Sequence, residues 1–130
     1  MANFGRLALV ALAIVSAAAI DSVRAHHSYV SKYDAKRLVK VSGVVANVRY
    51  ANPHIYFDVV VATKSGTEAT WTIETEGILA ARGKGLTEAL LKEGARATVT
   101  GWAGRGGSAE MGLKSITIGG RTIAMRNTAR

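Results

Sequence analysis

The 130-residue chain carries 17 basic and 9 acidic residues, three histidines and no cysteine, for a formal net charge of +8. The lack of cysteine excludes disulfides, thiolate metal sites and thiol nucleophiles, so any metal has to be held by nitrogen and oxygen. The charge favours anionic partners, or solubility alone, and the length suits one domain rather than two.

Behind Arg6, the residues from Leu7 to Ile20 form an apolar run broken only by Ser16. This is the layout of a secretory signal and is too short to span a bilayer comfortably. Val23 and Ala25 occupy the two small-residue positions read by signal peptidase, which predicts cleavage between Ala25 and His26. Residues 1–25 are therefore expected to be a signal peptide and the mature protein periplasmic or secreted. No second hydrophobic segment follows, so no transmembrane segment is expected after processing. The remaining 105 residues carry 15 basic against 8 acidic groups, a net charge of +7. The partners this suggests are an anionic envelope ligand, a partner protein or a metal ion; nucleic acid is not expected outside the cytoplasm.

Residues 26–37 are polar and aperiodic and are read as an extended N-terminal arm, 38–126 as one domain, and 127–130 as a frayed tail. Val39 and Val41 share one parity, whereas Val44, Ala46, Val48 and Tyr50 share the other. A slip of this kind predicts a glycine bulge at Ser42-Gly43 in a bent first strand. Asn52-Pro53 ends that strand, and His54 opens a second one with Ile55, Phe57, Val59 and Val61 on its apolar face. Lys64-Ser65-Gly66 is a turn into a third strand, Thr70 to Glu74, with Trp71 and Ile73 inward. Between Gly77 and Leu91 the spacing becomes helical, predicting one or two short helices broken at Gly83-Lys84-Gly85. Strands follow over Arg96 to Trp102 and Gly112 to Ile118, with a mobile glycine loop at 104–108 between them, and Gly119-Gly120 turns into a last strand, Arg121 to Met125. The order implies a mainly β, α+β fold: a small five- to six-stranded OB-like Greek-key barrel with a short helical connection between strands 3 and 4.

All three histidines fall in two places, His26-His27 at the predicted new terminus and His54 after Asn52-Pro53. A terminal histidine offers its α-amine and a ring nitrogen to one ion, and a distant histidine supplies a third nitrogen. Planar nitrogen ligation suits Cu(II), so His26, His54 and His27 are the candidate metal ligands and copper the candidate ion. The amine, with an ordinary pKa of about 7.7–8.0, loses its proton to a metal near neutrality. Asp34 or Asp58 is the expected partner orienting an imidazole. Against this stands a plain structural role, with His54 bonding a neighbouring loop and His26-His27 forming a soluble arm.

For hydrolytic catalysis the signals are poor. Ser28, Ser42 and Ser65 sit in no nucleophile elbow, Glu74 and Glu76 are read as solvated surface, and Gly104-Arg105-Gly106-Gly107 does not open a helix as a nucleotide loop would. Tyr50, Tyr56, Trp71 and Trp102 are read as packing residues, with a stacking platform beside Arg49 and Arg96 as the alternative.

Ala25-His26-His27-Ser28, Tyr33-Asp34, Gly43-Val44-Val45, Asn52-Pro53-His54, Trp71 and the late Leu90-x-x-x-Gly94-x-x-Ala97-x-Val99-x-Gly101 together resemble a bacterial exported family, domain-of-unknown-function family 6152. The resemblance implies a small periplasmic β-rich domain and carries no established activity. Tyr50 departs from it, standing where the family commonly has tryptophan. Two readings of function remain open: copper binding through the histidines, or a non-catalytic barrel that engages an anionic envelope ligand or a partner protein without metal.

Overall fold

The computed structural model describes residues 29–126; the predicted signal peptide, His26, His27 and residues 127–130 lie outside them. The strands, and the helix between the third and fourth of them, follow in chain order: β1 (Tyr33–Arg49), β2 (Tyr56–Ala62), β3 (Glu68–Glu74), α1 (Ile78–Lys84), β4 (Arg96–Gly104), β5 (Glu110–Ile118) and β6 (Arg121–Ala124). Hydrogen bonding runs β3-β2-β1-β4-β5-β6, and a parallel pairing of β3 with β5 closes the first five strands into a ring. This is the predicted OB-like Greek-key barrel, with the helical connection between the third and fourth strands. No helix among the described residues is long and apolar enough to cross a membrane.

The ring closes because β1 serves two partners. Its residues Leu38 to Val44 pair with β4 and Val44 to Arg49 with β2, so the strand must bend between them. The phase change that the valines reveal falls at Asn47 rather than at Ser42-Gly43. Val39, Val41 and Val45 face inward, then Val48 and Tyr50 do; between them Asn47 has φ 49° and the register with β2 shifts. Asparagine tolerates the left-handed region better than most residues, and the Asn47 side chain donates to Asp58 Oδ2 at 2.8 Å. Gly43 answers a different need. It pairs regularly with Ala97, and a Cβ there would sit 2.1 Å from the Val60 carbonyl oxygen.

Period-2 patterning places Ile55, Phe57, Val59, Ile73 and Val99 in one core, which Leu113 and Ile116 join on either side of a register shift between β4 and β5. Each such fully buried side chain contributes about 1.5–3 kcal/mol relative to exposure. Ala81, Leu86 and Leu91 of the β3–β4 connection join the same cluster. Of the two helical pieces anticipated in that connection, the first forms and ends at Gly85 (φ 99°), whose N–H bonds to Ala81 and Arg82 carbonyls. The second shrinks to a turn closed by Leu91 N–H on the Thr87 carbonyl. Gly119 and Gly120, at φ 57° and 74°, make the tight β5–β6 hairpin.

The start of the described chain differs from an extended arm. Residues 29–32 are helical and β1 already begins at Tyr33. Tyr29, Tyr33 and Trp102 form a second buried cluster, with the tyrosine rings 4.6 Å apart and Arg126 4.1 Å above Tyr29. Tyr29 lies over Gly112, where a Cβ would meet its hydroxyl at 1.9 Å. The glycine loop is also tied down: Arg105–Gly107 form a 3-10 turn, and the Arg105 guanidinium donates to the Val30 carbonyl at 3.3 Å. Trp102 thus packs in this cluster, and Tyr50 and Trp71 pack against the main core.

Candidate functional site

The Asn52-Pro53-His54 triplet lies in the β1–β2 loop, and each part has a local task. Asn52 Oδ1 accepts the Ile78 N–H at 2.9 Å, satisfying a free donor at the start of α1. Ile55 exchanges backbone bonds with Glu76 and Thr75, so the loop is stitched to the end of β3. His54 is held between these fixed points. Its Nδ1 lies 2.8 Å from Glu74 Oε1, and its side chain is 26% exposed.

Glu74 is the centre of the arrangement. Its other oxygen, Oε2, accepts from Tyr33 Oη at 2.6 Å and from Lys32 Nζ at 3.1 Å. Lys32 also lies 3.6 Å from Glu110 Oε1 and above the rings of Tyr33 and Tyr56. Arg49 covers Tyr56 from 4.5 Å. Burial alone would push the Glu74 carboxyl up; hydrogen bonds from Tyr33 and Lys32 and the charges of Lys32 and His54 outweigh it and hold the group below the usual carboxylate range. Burial and then the Glu74 hydrogen bond push the Tyr33 phenol up, so it stays a neutral donor. For Lys32, burial opposes the charge, but the bond and attraction to Glu74 prevail and raise its pKa.

His54 Nδ1 and Glu74 Oε1 lie at ion-pair distance, and because an ionised carboxylate only accepts hydrogen bonds, a proton along that contact is carried by Nδ1. In the neutral ring the lone pair then sits on Nε2, which has no protein partner among the described residues. Nε2 is therefore the ring atom free to bind an ion.

The structure thus replaces one expected partner with another. Asp34 accepts the Lys36 N–H and Asp58 accepts from Asn47 and Thr72, so neither orients His54. Glu74, read from sequence as solvated surface, is 5% exposed. It does have the outward parity that alternation assigns it, next to inward Ile73. It is buried because Lys32 and Tyr33, more than 40 residues earlier in the chain, fold over that face. Of the three candidate ligands only His54 is described, and no group of three His, Cys, Asp or Glu side chains among the described residues is placed to hold a metal ion.

Among curated proteins, none matches the chain. A family model does match, over residues 11–114, a span that takes in the Asn-Pro-His loop, Glu74, Tyr33 and the barrel up to the fifth strand. The chain belongs to that family, a family of unknown function (DUF6152).

Proposed function

We propose that the protein is an exported copper-binding domain, in which His54 Nε2 joins the α-amine and ring of a processed N-terminal His26, with His27 beside it, around one Cu(II) ion. The observation that carries the reading is the 2.8 Å contact between His54 Nδ1 and Glu74. Metal-bound histidines usually donate their second ring N–H to a carboxylate or carbonyl, which fixes the tautomer and makes the bound nitrogen more basic. His54 meets that requirement with its second nitrogen unpartnered.

Distance within the chain is compatible with the shared site. Lys32 and Tyr33 touch the same carboxylate as His54, residues 29–32 are helical, and the three chain steps from Tyr29 back to His26 span at most about 11 Å. Three nitrogens without sulfur suit Cu(II), which also heads the affinity order of the divalent first-row ions. Binding and carriage need no further group, so the reading does not include an enzymatic step.

The test is a copper titration of protein shown by intact mass to begin at His26, followed by electron paramagnetic resonance. Ligation by three nitrogens is expected, with one fewer nitrogen and weaker binding in both His54→Ala and His26→Ala. Unchanged binding and spectra in His54→Ala would overturn the shared site.

A further inference from the structure

The outer face of the sheet carries a second arrangement of polar groups, remote from the histidine. Ser42 of β1 pairs with Thr98 of β4, Thr98 with Thr117 of β5, and Thr117 with Thr122 of β6, so the register sets four hydroxyl side chains in one row across four strands. The two outer junctions are closed by hydrogen bonds, Ser42 Oγ with Thr98 Oγ1 at 2.8 Å and Thr117 Oγ1 with Thr122 Oγ1 at 2.9 Å. The middle junction, between Thr98 and Thr117, makes none. An open cleft of about 240 Å³ lies at this row, lined by Ser42, Arg96, Thr98, Thr117 and the hairpin glycines Gly119 and Gly120. We propose that the cleft is a binding site for a phosphate group, held by the Arg96 guanidinium and by hydroxyls of the row. The site does not rest on copper binding: the adjoining cleft that shares Arg96 reaches Val60 and Ala62, at the end of β2 far from His54.

The case rests on which donors are spent and which are left. Arg96 is exposed and makes no ion pair or side-chain hydrogen bond among the described residues. It is the one charged side chain lining the cleft, and no carboxylate lines it. A guanidinium presents a planar fork of donors that matches two oxygens of a phosphate. Each hydroxyl pair contains two protons and uses one between its members, and either member can be the donor. When Ser42 and Thr122 donate inward along the row, the protons of Thr98 and Thr117 are left over, on the two sides of the unbonded junction. A phosphate oxygen seated there accepts both, while the fork of Arg96 takes its neighbours. Gly119 and Gly120 place no side chain at the rim. Glu68 borders the adjoining cleft together with Arg96 without pairing to it, so its charge opposes an anion at the guanidinium.

The test is a titration of the ¹⁵N-labelled protein with inorganic phosphate at constant ionic strength. Saturable shifts are expected at the Thr98, Thr117, Gly119 and Gly120 amides and at Arg96 Nε. Arg96→Ala should weaken binding about tenfold or more, and Thr98→Val, which removes the hydroxyl and keeps the shape, about fivefold. Arg96→Lys should fall between wild type and Arg96→Ala, because it keeps the charge and loses the fork. Glu68→Gln should bind more tightly than wild type. Co-sedimentation with vesicles separates the two sources of the group. Arg96-dependent binding to phosphatidylcholine vesicles that contain phosphatidic acid, with none to phosphatidylcholine alone, identifies a lipid headgroup; binding of phosphate without either vesicle identifies the free ion. Shifts in the wild type that do not saturate, or that spread over basic residues elsewhere on the barrel, would overturn the site. So would wild-type affinity in folded Arg96→Ala.

Discussion

At the scale of single residues, two tyrosines that touch each other should respond oppositely to loss of a hydroxyl. The Tyr29 hydroxyl is buried without a hydrogen-bond partner among the described residues, and burial, partly offset by Arg126, pushes the phenol up to about 12. Tyr29→Phe is expected to leave stability unchanged or raise it by up to about 1 kcal/mol, because an unsatisfied buried group is removed. Tyr33→Phe breaks the bond to ionised Glu74 and should cost about 1.5–3 kcal/mol, as read from urea unfolding. Glu74 also gives the fold a defined acid sensitivity. Its folded pKa lies below the ordinary 4.5, so the stabilisation it provides is fully present above about pH 4.5 and is lost as the pH falls through the lower folded value. The stability gap between wild type and Glu74→Gln should therefore be widest at neutral pH and narrow below pH 4.5. A gap that stays constant down to pH 3 would show that Glu74 does not titrate in the way its partners dictate.

At the scale of elements, the short helix α1 depends on a residue from another loop. It has no acidic residue in its first turn, its N-cap position is Gly77 without a side-chain bond, and the Ile78 N–H is met by Asn52. A seven-residue helix has little stability of its own, so that bond matters both to the helix and to the loop carrying His54. Asn52→Ala is expected to cost about 1 kcal/mol, and Asn52→Asp much less, since a carboxylate accepts the same N–H. Thermal melting of the two variants beside wild type checks this. Gly77 shares the arrangement, because a side chain there would approach the Pro53 carbonyl and Asn52 Oδ1 within 3 Å. The Asn-Pro-His triplet is in this respect a structural joint between β1, the end of β3 and α1, with the imidazole as its exposed part.

At the scale of the whole molecule, the barrel is one cooperative object only if the small Tyr29–Tyr33–Trp102 cluster unfolds with the main core. Trp102 belongs to the small cluster and Trp71 packs on the main core, so each tryptophan reports on one of them. Single-tryptophan variants Trp71→Phe and Trp102→Phe should give coincident urea transitions by fluorescence and far-ultraviolet circular dichroism, because β4 contributes to both clusters. An earlier transition at Trp102 would mark residues 29–33 as a separately opening unit. The sequence by itself determined the strand order, the inward faces, the glycine hairpin and the helical connection, since alternation, turn chemistry and capping act over a few neighbouring residues. It also singled out His54, whose position after Asn52-Pro53 is local. Only the tertiary structure decided that the bend of β1 falls at Asn47, because Gly43 is required by an approaching Val60 carbonyl that no local pattern reveals. Likewise only the tertiary structure made Glu74 the partner of His54. Strand parity places Glu74 on the outer face, and what buries and ionises it there is a segment that returns from more than 40 residues away, a contact that chain closure creates and that a local reading of the sequence does not contain.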